Sequence, residues 1–138
     1  MQSAADPVRV KKLRVRNVTK NTAVADRASI ADTSKTRKTG LLKHTGLEAG
    51  EGLWIVPCEG IHMFGMKFAI DVLFLSKQRK VLKVGANMAA SGIRKRMAVS
   101  LLAHSVLELP AGTAEKTLTE VGDQLELEKF DAWSPVNL

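Results

Sequence analysis

The sequence predicts a mainly β domain, a small antiparallel β-sandwich or barrel with one or two short helices packed on it. Three observations support this prediction. Short apolar or alternating segments recur along the chain, and turns that contain glycine or proline separate them. Only one or two short stretches suit a helix. The 138 residues, 45% hydrophobic and 25% charged, suit one globular domain and exclude a coiled coil, collagen or a wholly disordered chain.

The N-terminal third is expected to contain a strand and then a helix. Apolar residues alternate with basic ones from residue 8 to 16 but change phase at residues 11–12, which predicts a β-bulge there. Asp32 or Thr33 can cap the helix that follows, because their side chains accept hydrogen bonds from first-turn amides. Gly40 should end this helix.

The other elements are predicted from apolar segments between turn residues. Further strands are expected at residues 53–56, 61–75 (one strand or two, with Gly65 as a bend), 81–84, 105–109 and 124–130. Residues 76–80 should form a hairpin turn, 87–100 a long basic connection and 110–117 a short helix-like segment. The predicted domain spans residues 8–130, and residues 131–138 should be a flexible tail.

The net charge of +7 is unevenly distributed along the chain. Residues 1–44 contain 11 Lys/Arg and 3 Asp/Glu, whereas residues 105–138 contain 2 and 7. The basic segment could bind an anionic partner such as nucleic acid, or it could pair with the acidic segment within the fold. No aromatic residue precedes Trp54, so the basic segment lacks a surface on which bases would stack.

We expect a cytoplasmic protein with no membrane partner. The N-terminus has no apolar segment of signal-peptide length, and the longest apolar run, residues 72–75, is too short to span a membrane. Cys58 is the only cysteine, which excludes an intrachain disulfide and suits a reducing compartment. No cofactor is predicted, since no glycine-rich phosphate-binding loop is present.

The candidate site is a polar cluster of Cys58, His62 and Asp71. Asp71 lies in an apolar strand, where an ionised carboxylate is costly unless it is paired or hydrogen-bonded. If the chain bends at Gly65, His62 and Asp71 could meet as a buried pair. These residues are either structural anchors or ligand-binding, metal-binding or catalytic groups. On a straight strand Cys58 and His62 would be about 13 Å apart, so no metal site is predicted.

Glu108 and Asp123 are predicted to brace loops. Each adjoins a turn, Glu108 before residues 110–112 and Asp123 after Gly122. A carboxylate in such a position commonly accepts hydrogen bonds from the amides of the turn.

A family resemblance is carried by two segments, RKTGLLKHTGLEAGEGLWIVPCEGIHMFGMKFAIDVLFL and SVLELPAGTAEKTLTEVGDQLEL. With the order GLL, PC, IH and FGM, IDV-FL, LELPAG and GD, residues 8–130 resemble the domain-of-unknown-function 192 (DUF192) family. The matching positions are Gly40, Leu41, Leu42, Pro57, Cys58, Ile61, His62, Phe64, Gly65, Met66, Phe68, Ile70, Asp71, Glu108, Pro110, Gly112, Gly122 and Asp123. The resemblance implies a small β-sandwich or barrel with a helix packed on it, and an activity that is not established.

Three functional hypotheses follow from the residues. The preferred one is a non-catalytic β-domain that binds a small ligand or a protein partner through the cluster of Cys58, His62 and Asp71. The first alternative is a metal- or thiol-dependent enzyme that uses the same residues. The second is a nucleic-acid-binding module that uses the basic N-terminal third.

Overall fold

The structure is a computed structural model that describes residues 8–58, 60–62, 66–89, 97–99 and 102–134. These parts contain strands and two short helices. The elements are β1 (Val8–Asn17), β2 (Thr22–Ala31), α1 (Ser34–Thr39), β3 (Glu51–Ile55), β4 (Gly60–His62), β5 (Ile70–Leu75), β6 (Val81–Met88), β7 (Met97–Val99), β8 (Ser105–Pro110), α2 (Thr113–Lys116) and β9 (Leu125–Ser134).

Seven strands form one large sheet in the order β6-β5-β8-β3-β2-β1-β9, and β4 pairs with β7 in a separate small sheet. The pairs of the large sheet are antiparallel except β2–β3, which is parallel because the chain crosses from one strand to the other through α1. A bridge between Lys80 and Gln124 joins the two outer strands at one end. Over the described residues the sheet is not closed into a barrel, so the predicted mainly β fold is confirmed in its sandwich-like form.

The large sheet carries a hydrophobic core on each face. Side chains alternate along a strand, so neighbouring residues of β5 and β8 belong to different cores. On what we call the first face, the core includes Leu13, Val15, Trp54, Leu73, Leu75, Leu107 and Leu109. On the second face, it includes Leu41, Leu53, Ile55, Ile70, Val72, Phe74 and Val106. The central strands β5 and β8 are buried because both of their faces are covered.

The last strand is longer than the sequence predicted. The predicted domain ended at Phe130, whereas β9 continues to Ser134 and pairs with β1 along ten residues. The Arg14 guanidinium lies 4.4 Å from the centre of the Phe130 ring, and that of Arg9 lies 5.6 Å from the centre of the Trp133 ring. The partner strand thus sets the length of β9. The last four residues of the predicted tail lie outside the described residues.

Three local features differ from the predictions. The ten-residue strand β2 lies between β1 and α1, where no strand was predicted. β1 pairs with β9 without interruption through residues 11–12, and its irregular pairing is with β2, after Leu13 and after Val15. Without a bulge at residues 11–12, Val8 and Val10 face the opposite side of β1 from Leu13 and Val15, and only the latter two are buried. Within the predicted connection of residues 87–100, Met97–Val99 form β7. The predicted bend at Gly65 lies outside the described residues.

The basic and acidic segments pair with each other across β1 and β9. The ammonium of Lys11 lies 2.6 Å from the Asp131 carboxylate, and the Arg14 guanidinium lies 3.5 Å from that of Glu128. These side chains are each at least 42% exposed, so each pair contributes little to stability. They do place acidic groups among the cations of β1.

Candidate functional site

The turn after α1 forms one wall of a cavity. α1 begins with a capping box, in which the side chain of Thr33 accepts from the Thr36 amide and that of Thr36 accepts from the Thr33 amide. Gly40 ends the helix with φ at +49°, a conformation that favours glycine. Leu41 then enters the second core and is only 2% exposed. The GLL sequence therefore ends the helix and anchors the next segment.

A cavity of about 170 Å³ opens on the second face beside this turn. Its described lining residues are Arg37, Lys38, Thr39, Gly40, Leu41, Leu42, Ile55, Pro57, Cys58, Gly60, Met66 and Glu108. Those that also carry the family resemblance are Gly40, Leu41, Leu42, Pro57, Cys58, Met66 and Glu108. Motif segments that are far apart in the sequence thus meet around one cavity.

Glu108 is the buried acid of this cavity. It lies on β8 opposite Leu53 of β3 and Val72 of β5, which both belong to the second core. Glu108 is 5% exposed, and no described residue donates a hydrogen bond to its carboxylate. Burial raises the pKa of Glu108 to about 7, because an apolar environment disfavours the charged form. Near neutral pH both the protonated and the ionised forms are therefore populated.

The turn that follows Glu108 is closed by another residue. The Thr113 hydroxyl donates to the Pro110 carbonyl over 2.6 Å. Among the described residues, no hydrogen bond from this turn reaches the Glu108 carboxylate. The structure therefore shows no bond by which Glu108 would brace the turn. The side chain lies on the second face, where the cavity is.

Cys58 lines the same cavity as Glu108, on the segment between β3 and β4. Its amide donates to the His104 carbonyl over 2.8 Å, which fixes this segment against the start of β8. Its thiol is half-buried and donates to the Gly60 carbonyl over 3.1 Å. A second and more open hollow is lined by Pro57, Cys58, Ala103 and His104. Cys58 therefore lines both hollows.

Asp71 faces the other side of the sheet. On β5 it lies opposite Leu109, a residue of the first core, and it is 1% exposed. One carboxylate oxygen accepts from the Asn87 amide and the other from the Ala114 amide, each over 2.8 Å. Asn87 lies where the β5–β6 pairing is irregular, and α2 has no side-chain acceptor at its N-cap, Gly112. Asp71 thus supplies acceptors for two buried or part-buried amides that regular structure leaves unpaired.

Asp123 joins two turns. It is 3% exposed, and its carboxylate accepts from the Asn17 side-chain amide, the Lys20 ammonium and the Glu120 backbone amide over 2.9–3.0 Å. Burial by itself raises the pKa of Asp123, but these donors outweigh burial and hold the pKa below its usual value. The carboxylate therefore fastens the turn before β9 to the β1–β2 hairpin.

The structure separates two members of the cluster predicted from the sequence. Cys58 lies at the second-face cavity, whereas Asp71 is buried on the first face. The backbone of His62 belongs to β4, and its side chain lies outside what the structure describes. The described acid that lines the same cavity as Cys58 is Glu108. The signal that marked Asp71, an acid inside an apolar strand, is also present at Glu108, but the sequence does not show which face of the sheet either residue occupies.

The three buried acids of the described residues, Asp71, Glu108 and Asp123, lie at three separate places in the fold. Over the described parts of the chain, no group of three or more His, Cys, Asp and Glu residues is arranged to hold a metal ion. α1 and α2 are six and four residues long, and no helix of the described residues is long and apolar enough to cross a membrane.

A comparison with protein families identifies this chain. The sequence pattern of the DUF192 family, described as uncharacterized ACR, matches residues 15–127. The chain belongs to the DUF192 family. The resemblance expected from the motif segments is thereby confirmed. No curated protein matches the sequence.

Two solved structures share the fold of this DUF192 protein. A protein of unknown function from Novosphingobium aromaticivorans is 22% identical, with a TM-score of 0.71, and the match covers 91% of this chain and 98% of the other. A putative transcription regulator from Sinorhizobium meliloti is 19% identical, with the same TM-score and the same coverage of both chains. At these identities the likeness shows the fold alone.

Proposed function

We propose that this DUF192 protein is a non-catalytic binding module that takes a small ligand in the second-face cavity. One observation carries the proposal: Glu108 lines this cavity and is 5% exposed, and its carboxylate has no hydrogen-bond donor among the described residues. A buried acid without a partner lowers the stability of the fold. Acids whose pKa values are strongly shifted by burial cluster at functional sites, where a bound molecule can supply the missing contact.

The lining of the cavity supports the same proposal. Its walls combine apolar side chains, including Leu41, Leu42, Ile55 and Met66, with a few polar groups, which is the usual composition of a ligand pocket. A volume of about 170 Å³ suits a compact molecule. In this proposal Asp71 serves binding only indirectly, because it anchors β6 and α2 from the opposite face.

The two alternative functions have less support. A thiol-dependent enzyme would need an acid–base group hydrogen-bonded to the Cys58 thiol, whereas the described bond of this thiol goes to the Gly60 backbone carbonyl and Asp71 faces the other side of the sheet. A nucleic-acid-binding surface on β1 would need free cations, and Lys11 and Arg14 lie against acids of β9. We also propose a cytoplasmic setting, in which the single thiol stays reduced.

Blocking the cavity tests the binding proposal. A library of compounds with five to nine non-hydrogen atoms is screened by amide NMR, and hits are expected to shift the signals of Leu41, Ile55 and Cys58. Leu42→Trp fills the cavity and should raise the Kd of each hit at least about tenfold, since the hits and the indole compete for one volume. Leu102→Trp is the matched control, because Leu102 is 84% exposed and does not line the cavity.

Two outcomes would contradict the proposal. In the first, no compound of the library shifts the amide signals of Leu41, Ile55 and Cys58. The other is a set of hits that bind the Leu42→Trp and Leu102→Trp variants with equal affinity. Because Leu42 is only partly buried, the variant should fold, and the dispersion of its amide spectrum checks that it does.

A further inference from the structure

We infer that the ligand of the second-face cavity is a small amine, bound with its ammonium group against the Glu108 carboxylate and its apolar body against Leu42, Ile55 and Met66. This inference rests on the proposed function and adds the chemical class of the ligand. It follows from three properties of the site: the missing donors at Glu108, the charges around it and the size of the cavity.

The first property is the lack of donors. An ionised buried carboxylate needs two or more N–H or O–H groups directed at its oxygens. Asp71 and Asp123 have them from described backbone amides or side chains, whereas Glu108 has none among the described residues. An alkylammonium group brings three N–H donors and a positive charge, and hydrogen bonds between charged partners are the strongest available here. An alcohol brings one donor and no charge.

The second property is the arrangement of charge. The groups that line the cavity with Glu108 are Arg37 and Lys38 of α1 and the Cys58 thiol, while its cross-strand neighbours Leu53 and Val72 are apolar. Among the described residues Glu108 is thus the acid of the lining, and the cations are on the helix side. A monoamine satisfies Glu108 without placing a second positive charge near α1. A diamine would be repelled there.

The third property is size. A cavity of 150 Å³ with apolar walls holds a benzene molecule, so a cavity of about 170 Å³ suits a ligand of roughly five to eight non-hydrogen atoms. Apolar contacts with the body of the amine then add to the affinity that its charged end supplies. Larger ligands would have to extend out of the cavity past the turn that contains Gly40.

Because binding is linked to the ionisation of Glu108, the Kd of an amine should depend on pH. Burial raises the pKa of Glu108 to about 7, so below this pH the empty site is mostly protonated. An ammonium ion binds the ionised form, and the proton of Glu108 then passes to solvent. The apparent affinity is reduced by the fraction of ionised sites, so it should weaken about tenfold for each pH unit below 7.

The experiment compares n-butylamine with 1-butanol, which has the same number of non-hydrogen atoms and no charge. Kd values for the full chain are measured by amide NMR titration at pH 5, 6, 7 and 8. At pH 8, butylamine should bind at least about tenfold more tightly than butanol, because charge-assisted bonds are about twice as strong as neutral ones. Its Kd should increase toward pH 5, whereas that of butanol should change little.

Glu108→Gln and Glu126→Gln form the matched pair of variants, since Glu126 is an exposed residue of β9. Glu108→Gln should remove both the preference for the amine and the pH dependence of its Kd. It should leave the Kd of butanol within about threefold of the parent's value. Glu126→Gln should bind both compounds as the parent does.

The outcomes separate the two proposals. If neither compound binds the parent protein at any of these pH values, the cavity is not a site for compact ligands and the proposed function fails. If butanol binds as tightly as butylamine at pH 8, or if Glu108→Gln keeps the pH dependence, the ammonium inference alone is overturned.

Discussion

Asp71 and Glu108 are buried acids on adjacent strands of one sheet, and their surroundings are opposite. Asp71 faces the first core, where two backbone amides donate to its two oxygens. Glu108 faces the second core, where no described group donates to it and a cavity opens beside it. The comparison teaches that burial of a charge does not by itself indicate its role. The identity of the donors does: backbone donors indicate an anchor, and missing donors beside a cavity indicate a binding group.

The largest effect is expected from Asp71→Ala. This change leaves the Asn87 and Ala114 amides without an acceptor, and hydrogen bonds to a charged acceptor contribute about 1.5–3 kcal/mol each. We expect the free energy of unfolding to fall by about 3–4 kcal/mol in urea denaturation. Asp26→Ala is the control, because that side chain is 67% exposed. An Asp71→Ala variant with the midpoint of the parent would show that the two amides do not depend on this carboxylate.

The next effect is the pH dependence that Glu108 confers. Its pKa is raised from 4.5 to about 7 on folding, so between these values the folded state binds a proton that the unfolded state releases. The contribution of Glu108 to stability is therefore fully present below pH 4.5 and is lost as the pH rises through 7. The shift of about 2.5 pH units corresponds to roughly 3 kcal/mol.

The difference between the parent and Glu108→Gln isolates this contribution. Urea denaturation from pH 4 to pH 8 should show the parent losing about 3 kcal/mol relative to the variant. Glu126→Gln should keep the slope of the parent. Parallel curves for the parent and Glu108→Gln would mean that this carboxyl group has donors or solvent around it, and the contrast with Asp71 would disappear.

The smallest effect is expected from Asp123→Asn, which tests a third buried acid that has donors. The pKa of Asp123 is held below 3.8, so its contribution to stability is present above that pH and is lost as the pH falls through the folded-state pKa. Acid denaturation between pH 5 and 2 should therefore be less steep in Asp123→Asn than in Asp32→Asn. The effect is smaller because the Lys20 side chain, one of the three donors, is a quarter exposed. Equal slopes would show that Asp123 titrates as a solvated acid.

The sequence predicted the local elements well because their signals are local. Thr33 caps the start of α1 and Gly40 ends it, and both residues adjoin the helix in the sequence. The alternation of apolar residues likewise located β5 and β8, since burial on both faces leaves a nearly continuous apolar run. β9 was predicted too short, because its last residues are strand only through their pairing with β1.

The candidate site was predicted only in part. Cys58 lines the cavity, Asp71 was recognised as an acid in an apolar strand, and Glu108 was recognised only as an acid beside a turn. Their roles could not be assigned, because the donor that reaches Asp71 from Ala114 is 43 residues away in the chain. No local pattern connects such positions. The turn after α1 and Glu108 line the same cavity, although they are remote in the sequence.

The sequence by itself determined the fold class, most of the strands, the helix α1 with its cap and end, and membership of a family. These properties depend on propensities and patterns within a few residues. Only the tertiary structure decided which face of the sheet each buried acid occupies and whether donors meet it there. The physical reason is that adjacent residues of a strand point to opposite faces, so a shift of one position separates an anchored carboxylate from one that lines a cavity.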